Sequence, residues 1–406
     1  MASATPAQNK KKKKTDAIPK ASSHVTFQVD QLSSPQECIP LRHEWNELAW
    51  RSRLTTVFST WEWQAAWWRH YGQRANLCVV TVRDAGRLVG LLPLYLRSVS
   101  LAPGLPVRQM SLVGAGGDTS PDYLGPLLDP AYEEPVATTL ADHVLSRREL
   151  WDRLKLTDMS EGPFLRALAQ RLGAARISCE MAPCSQIAIM RLPASWDAYL
   201  ASVHRDRRKR IRYLRRHAGD ARIVFIGHDP GEAPGAATEA LIELHRKRWQ
   251  AKGGGAFRSA CYTDFHREVI QLCHARDWVR LLRLESAGEI VAVFYCYRFR
   301  DEVLYFQSGF DPALERLSVG QVLMGYAMEA AIAEGARTFD HLKGQHAYKS
   351  SWSNDARATY NLLAYNTSLR GQLALLGRSM VKLKHSLIPD KGPAQHESTA
   401  PATSSG

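Results

Sequence analysis

The stretch from Tyr305 to Trp352 decides the fold of the second half of the chain. It contains Tyr-Phe-Gln-Ser-Gly-Phe-Asp-Pro at 305–312, Ser-Val-Gly-Gln at 318–321, Arg-Thr-Phe-Asp at 337–340 and Gly-Gln-His-Ala-Tyr-Lys at 344–349. This order predicts a strand, a turn, a helix that ends at Gly335, a short strand and a polar loop. A helix N-terminus at a sheet edge favours a bound anion through its free N–H groups and its dipole. The stretch therefore predicts an anion site beside a loop with titratable side chains.

The start of the predicted helix has two interpretations. Ser318 and Gln321 have the spacing of a capping box, in which both side chains satisfy backbone N–H groups whether or not a ligand binds. Alternatively, the backbone N–H groups from Val319 to Val322 hold a phosphate.

Composition indicates a globular protein with at least two cores. The chain has 406 residues, of which 45% are hydrophobic and 23% charged. No uninterrupted apolar run approaches the ~18 residues of a membrane span, and Lys10–Lys14 precede no apolar segment, so neither a membrane helix nor a secretory signal is expected. Seven scattered cysteines without a CxxC pair suggest reduced thiols in a cytoplasmic protein. No His/Cys/Asp cluster has metal-ligand spacing, so no metal is predicted.

The net charge of +13 is concentrated in two segments. Residues 1–23 are lysine-rich and predict a disordered tail, as does the Pro/Ser/Thr-rich end at 386–406. The second segment, Arg205–Arg216, contains seven arginines, and a solvated helix face is its first interpretation. Planar guanidinium groups also suit a tRNA backbone, an anionic membrane surface or the 3′-phosphate of CoA. The Lys10–Lys14 tail allows similar contacts with RNA or an anionic membrane.

The chain repeats a β-hairpin. Placing Gly86 on Gly288 aligns apolar residues of segments 77–92 and 279–294, and each hairpin follows a Trp-containing helical stretch, 61–71 or 241–249. The pattern predicts duplicated domains at 24–185 and 186–385, each a mixed α/β (α+β) sheet. The second is expected to contain helices at 196–217, 238–250 and 262–275, and strands at 223–226, 279–285, 289–299, 302–309, 337–341 and 359–366.

The second half resembles the GNAT acyltransferases, in particular the FemABX-like branch with its CelD/BioF-type (acetyltransferase-6) proteins. The first half resembles the degenerate partner unit of that arrangement, through segments 58–63 and 90–94. The residues that carry the resemblance of the second half are Leu244–Trp249, Phe257, Gly309–Pro312, Ser318–Gly320, Phe339, Asp340, Gly344, Tyr348, Lys349 and Trp352.

The resemblance implies tandem GNAT-like units and an N-acyltransferase that uses acetyl-CoA or a longer acyl-CoA as co-substrate, with no permanently bound cofactor. Fem enzymes of this branch use aminoacyl-tRNA instead. The family's phosphate loop, Gln/Arg-x-x-Gly-x-Gly/Ala, is altered here because Arg316-Leu-Ser-Val-Gly320 places the first glycine one position late. The cofactor-binding candidates are Arg316, Ser318, Val319, Gly320 and Gln321.

Tyr348 and Lys349 match the family's Tyr-Lys pair beside the acceptor. A lysine stabilises the oxyanion that forms when an amine attacks the acyl carbonyl, and a tyrosine protonates the leaving thiolate. Both residues could instead be structural. Asp340 could bind or deprotonate the acceptor ammonium, or cap the next segment. His346 is a lesser candidate base in the same loop.

His245, Arg248 and Trp249 share one helix face at i, i+3 and i+4. They could line the acceptor pocket, together with Phe257 and with His245 as the base, or be ordinary core and surface residues.

The sequence thus predicts a cytoplasmic N-acyltransferase, with an association at the inner-membrane surface as a variant of that location. Direct attack by the amine is expected, because no Ser/His/Asp or Cys/His nucleophile arrangement is visible. The resemblance suggests an amino sugar, an amino acid or an envelope-polysaccharide precursor as acceptor. Two alternatives are a tRNA-dependent aminoacyltransferase and a non-catalytic accessory protein of polysaccharide biosynthesis.

Overall fold

The computed structural model describes residues 26–102, 104–119, 121–250, 255–344, 349 and 351–387. The Lys10–Lys14 tail, most of the predicted C-terminal tail, His346 and Tyr348 lie outside these ranges.

The first half of the chain contains seven strands and five α-helices within the described residues. The strands are β1 (Gln28–Leu32), β2 (Asn76–Asp84), β3 (Arg87–Ala102), β4 (Leu105–Leu112), β5 (Leu127–Leu128), β6 (Arg153–Ser160) and β7 (Ser178–Arg191). The helices are α1 (Pro35–Cys38), α2 (Arg42–Arg51), α3 (Trp61–Tyr71), α4 (Glu133–Ser146) and α5 (Pro163–Ala174).

The second half has the mixture of helices and antiparallel strands that the sequence predicts. Its helices are α6 (Trp196–Ser202), α7 (Arg205–Asp220), α8 (Gly235–Gln250), α9 (Ala260–His274), α10 (Val319–Ala333) and α11 (Leu369–Leu387). Its strands are β8 (Ile223–Ile226), β9 (Val279–Ser286), β10 (Glu289–Phe299), β11 (Glu302–Phe310), β12 (Thr338–Asp340) and β13 (Asp355–Tyr365).

One mixed sheet runs through both halves. Its strand order is β1-β2-β3-β4-β6-β13-β7-β12-β11-β10-β9-β8, and β5 pairs with β3. Each unit contains one parallel strand pair, β4 with β6 in the first unit and β11 with β12 in the second. The last strand of each half lies beside the other unit, since β7 pairs with β12 and β13 pairs with β6. The expected boundary at 185/186 is therefore wrong in position, because it falls inside β7.

The repeated hairpin is visible in the strand register. In the first hairpin Val82 pairs with Gly90, and in the second Leu284 pairs with Ala292, the positions that the Gly86–Gly288 alignment relates. Both turns are Ala-Gly with positive φ at each residue, 46° and 84° in the first and 52° and 84° in the second. Such primed turns match the twist of the flanking strands. The hairpin repeat is thus structural as well as sequential.

Two helix predictions need correction. The predicted helix over 196–217 is broken into α6 and α7 because Val203 is extended, with ψ of 153°. The helix that directly precedes the second hairpin is α9, not the 241–249 stretch, which belongs to α8. Helices α3 and α9 pack against each other, with Trp63 and Phe265 in edge-to-face contact at 5.1 Å. The two units therefore share a buried core. Within the described residues, no helix combines the length and hydropathy needed to span a membrane.

Candidate functional site

The parallel strands β11 and β12 separate in the middle of the sheet. They pair only at Glu302–Thr338, Val303–Phe339 and Leu304–Asp340. Strand β11 then continues to Phe310 along β10, whereas β12 ends at Asp340. The divergence leaves an opening between them, and α10 begins at the end of β11.

The N-terminus of α10 lacks the predicted capping box. Ser318 is left-handed, with φ of 51°, and its side chain does not bond to the first turn. The left-handed conformation turns the hydroxyl toward α7, where Ser318 Oγ lies 3.5 Å from the Arg210 guanidinium as acceptor. The first turn of α10 also contains no acidic residue. Its N–H groups and a nearby cation therefore favour an anion.

A pocket of about 250 Å³ lies at this helix end. It brings together four predicted cofactor-binding residues and one predicted substrate-binding residue: Ser318, Val319, Gly320, Gln321 and Arg248. The Arg248 guanidinium lies 4.0 Å above the Phe310 ring, which holds this cation at the pocket wall. Tyr305 and Ser308 line the pocket from β11, and Glu315 adds one carboxylate.

The corresponding helix of the first unit differs in charge. Helix α4, which follows the parallel strand β4 as α10 follows β11, begins with Glu133 and Glu134. Two carboxylates in a first turn oppose a bound anion, although they favour the helix itself. The first turn of α10 therefore suits an anion better than the first turn of α4 does.

The other predicted residues near α8 and α10 lie around this pocket rather than in it. Arg316 belongs to the short 3-10 helix Pro312–Leu317 and is not among the pocket-lining residues. Trp249 is half-buried, and the Arg248 guanidinium lies 5.5 Å from its ring. Phe257 is fully buried against His245, at 5.2 Å between ring centroids, so it is a core residue in this structure.

His245 is poorly suited to act as a base in the pocket. Its Nδ1 lies 3.1 Å from the carbonyl oxygen of Ser308, and the ring faces a separate open pocket with Arg246 and Lys247. Burial and the charges of Arg248 and Arg246 lower the pKa of His245 to about 4. The imidazole is therefore neutral near pH 7 and a weak proton acceptor.

Lys349 organises the loop after β12. Its Nζ donates hydrogen bonds to the carbonyl oxygens of His341 (2.9 Å), Leu342 (3.2 Å) and Lys343 (2.9 Å). These three bonds use all the donors of the ammonium group. Burial lowers the pKa of Lys349 to about 8, against the opposing effect of Asp122 and Asp340. This geometry favours a loop-holding role over direct stabilisation of an oxyanion.

Asp340 connects the two units. One carboxylate oxygen accepts from the backbone N–H of Leu342 at 2.7 Å, so the capping alternative predicted for Asp340 is present. The other accepts from the Tyr123 hydroxyl at 2.8 Å and lies 3.6 Å from Arg357. Burial raises the pKa of Asp340 to about 6, although Arg357 lowers it. Both oxygens are engaged, which limits Asp340 as an acceptor-binding group.

A second buried carboxylate, Asp122, was not predicted from the sequence. It comes from the loop between β4 and β5 of the first unit, and its Oδ2 accepts from the Lys343 N–H at 2.8 Å. Its Oδ1 has no hydrogen-bond partner among the described residues and lies 3.8 Å from Lys343 Nζ, which itself bonds Asp158 at 2.9 Å. Burial raises the pKa of Asp122 to about 7. A proton acceptor with this pKa suits general-base chemistry.

The backbone around this group, here called the inter-unit carboxylate cluster (Asp122, Asp158 and Asp340), is unusual. Tyr123, Asp158 and Leu342 all have positive φ, at 64°, 55° and 50°. Residues with a Cβ rarely adopt this conformation, and its concentration at one place is typical of functional sites. The sequence signal was the polar segment after β4, at the position that corresponds to the predicted anion site of the second unit.

His341 lies between the pocket and the inter-unit carboxylate cluster. Its ring centroid is 6.5 Å from that of Tyr305, a pocket residue, and its carbonyl oxygen accepts from Lys349. Burial lowers the pKa of His341 to about 4, so its ring is neutral at pH 7. His341 thus connects the pocket residue Tyr305 with the loop that Lys349 holds, directly after Asp340 in the chain.

Comparisons with known proteins agree with this geometry. The family model described as "Acetyltransferase (GNAT) domain" matches residues 205–350, which include α10, β11 and β12. No curated protein matches this chain.

Several solved structures share the fold. The crystal structure of FemX superposes with a TM-score of 0.58 at 12% identity and covers 86% of this chain and 99% of its own. The C-terminal domain of a presumed lysylphosphatidylglycerol synthetase from Agrobacterium fabrum gives 0.51 at 12% identity, over 84% and 96%. A conserved protein of unknown function from Bacteroides thetaiotaomicron gives 0.50 at 10% identity, over 80% and 97%. The similarity therefore extends over both units.

Proposed function

We propose that this chain, whose residues 205–350 match a GNAT acetyltransferase domain and whose fold is shared by FemX, transfers an acyl group from acetyl-CoA or a longer acyl-CoA to an amine. The observation that carries the choice of donor is the pocket at the N-terminus of α10. Phosphate oxygens of CoA bind the N–H groups of Val319 and Gly320, with Arg210 and Arg248 as neighbouring cations. The thioester then extends between the diverging strands β11 and β12.

The inter-unit carboxylate cluster supplies the base in this proposal. The acceptor nitrogen attacks the thioester carbonyl carbon, and its proton passes to the Asp122 carboxylate. The tetrahedral oxyanion collapses, the C–S bond breaks, and the amide and the CoA thiolate leave. Tyr348 remains our candidate to protonate that thiolate, and Lys349 and Asp340 are positioning residues that hold the loop after β12 in place.

The acceptor class and the location come from the resemblance alone. We propose an amino sugar, an amino acid or an envelope-polysaccharide precursor as acceptor, and a role in polysaccharide biosynthesis. The proposed location is the cytoplasm, at the inner-membrane surface if the acceptor is carried there.

Gly320 offers a sharp test of the donor. A Cβ at this position would meet only the Phe310 ring, at 3.4 Å, so a small side chain is accommodated. In Gly320→Asp the new carboxylate stabilises the helix N-terminus but repels a phosphate. We expect the acetyl-CoA affinity of Gly320→Asp to fall about tenfold or more. Gly320→Asn, whose side chain has nearly the shape of aspartate but no charge, should keep most of the affinity. The measurement is the shift in unfolding temperature on adding acetyl-CoA. A ligand at ~100 times its Kd raises the free energy of unfolding by about 2.7 kcal/mol. If no CoA ester shifts the unfolding temperature of the unmodified chain, the donor assignment is wrong.

Aminoacyl-tRNA is the second candidate donor, and α7 favours it. Arg205, Lys209, Arg212 and Arg216 are exposed and recur at helical spacing, which forms one cationic stripe. The helix also contacts α10. Binding of charged tRNA that weakens steeply with salt and is lost on Arg212→Gln/Arg216→Gln would support this donor. A chain that binds neither donor would fit the non-catalytic accessory role.

A further inference from the structure

The last helix, α11, presents an apolar stripe to solvent. Leu369, Leu373, Leu376 and Met380 are 77%, 44%, 59% and 68% exposed. Their spacing of four, three and four residues places them on one helix face. In the sequence the same spacing continues at Leu383 and Leu387. A continuous row of large exposed apolar side chains marks an interaction surface.

Small residues fix this outward orientation. A Cβ on Gly371 would clash with the backbone carbonyl oxygens of Asn366 and Asp152, so the helix lies directly on the protein there. Ala374 is buried in a small cluster with Val107 and Tyr365. Ser368 caps the helix by accepting from the Gly371 N–H at 3.1 Å. Gly371, Ala374 and the half-buried Leu375 therefore face the fold, whereas the four large apolar side chains of the stripe face solvent.

The charge of α11 has a single sign. Residues 369–387 contain no Asp or Glu, while Arg370, Arg378, Lys382 and Lys384 are cationic. Arg378 is paired with Glu180 at 2.8 Å, and Arg370 is exposed. Leu101, at the tip of the β3–β4 hairpin, adds a 40% exposed apolar side chain beside the strand that α11 contacts.

We propose that α11 is an interfacial helix that binds a lipid surface with anionic headgroups. Its apolar stripe enters the boundary between headgroups and acyl chains, and its cations contact the headgroups. A second copy of the chain is less suitable, because two α11 helices would bring like charges together without an acidic partner. Segments 1–25 and 388–406 carry no row of large apolar residues to cover the stripe. Lipid binding by α11 does not depend on acyl transfer at the α10 pocket.

Vesicle flotation tests the proposal with matched variants. The full chain should float with vesicles of 70% phosphatidylcholine and 30% phosphatidylglycerol, and weakly or not at all with phosphatidylcholine alone. Leu376→Ser/Met380→Ser should reduce the affinity at least tenfold. Ile39→Ser/Val224→Ser removes two apolar side chains of similar exposure, 59% and 57%, from other elements and should leave it unchanged. Arg370→Gln should weaken it about fivefold.

Three results would overturn the inference. One is failure to bind anionic vesicles. Another is equal binding to neutral and anionic vesicles, or equal losses in the two double variants. The third is a dimer in light scattering that Leu376→Ser/Met380→Ser dissociates, since a second copy would then cover the stripe. Unchanged circular dichroism of the variants serves as the folding control.

Discussion

The hydrogen bond from Tyr123 to Asp340 joins the two units inside the core, and its removal has a calculable cost. The hydroxyl lies 2.8 Å from Asp340 Oδ2, and both side chains are buried. A buried hydrogen bond to a charged acceptor contributes roughly 1.5–3 kcal/mol, and a neutral one about 1 kcal/mol. We therefore expect Tyr123→Phe to lower the free energy of unfolding by about 2 kcal/mol at pH 8, where Asp340 is ionised.

The destabilisation caused by Tyr123→Phe should be smaller at acidic pH. Burial raises the pKa of Asp340 to about 6, above its usual 3.8, so this group favours the folded state most below pH 4 and progressively less as the pH rises through 6. At pH 5 the carboxyl is largely protonated and the Tyr123 bond is close to neutral. We expect a loss of about 1 kcal/mol there.

Tyr132 provides the matched control. Its hydroxyl also lies 2.8 Å from an aspartate, Asp84, but this pair is near the surface. Tyr132→Phe should cost no more than about 0.5 kcal/mol at either pH. Urea unfolding of the three proteins at pH 5 and pH 8 gives the comparison. Equal costs for the two substitutions, or a Tyr123→Phe cost that does not change with pH, would refute the inter-unit assignment.

Further predictions concern the pocket and the loop after β12. Arg248→Ala should weaken acetyl-CoA binding about tenfold, by calorimetry, while Arg216→Ala, on the exposed stripe of α7, leaves it unchanged; equal effects would remove Arg248 from the pocket. Lys349→Met leaves three carbonyl oxygens without their donor and should cost about 2–4 kcal/mol in denaturant unfolding, so an unaltered stability would contradict its loop-holding role. For Asp122 as base, kcat/KM should decline as the pH falls through about 7. Asp122→Asn should reduce kcat roughly 100-fold or more and abolish that decline; a surviving decline would assign it to another group.

Local patterns in the sequence predicted much of the second unit. The Ala-Gly turns and the alternating apolar residues predicted both hairpins, because a two-residue turn fixes the register of the strands that it joins. Apolar periodicity and Gly335 located α10 to within a residue at its C-terminal end. These features depend only on neighbours in the chain.

The remaining features depend on distant contacts. No local sequence pattern indicates that β7 and β13 each pair with a strand of the other unit. The expected boundary at 185/186 was therefore misplaced, inside β7. In the sequence, nothing distinguishes Asp122 from an ordinary loop aspartate, because its burial against Lys343 depends on a contact between the two units. The Ser318 hydroxyl failed to cap α10 because its backbone is left-handed, which a capping motif does not reveal.

Release of the CoA thiol is the most direct test of acyl transfer at the α10 pocket. The chain is mixed with acetyl-CoA and a panel of amino sugars and amino acids, thiol release is followed optically, and the amide product is identified by mass spectrometry. We predict amine-dependent release that Gly320→Asp reduces and Gly320→Asn largely preserves. Transfer from aminoacyl-tRNA with no thiol release from any acyl-CoA would contradict it.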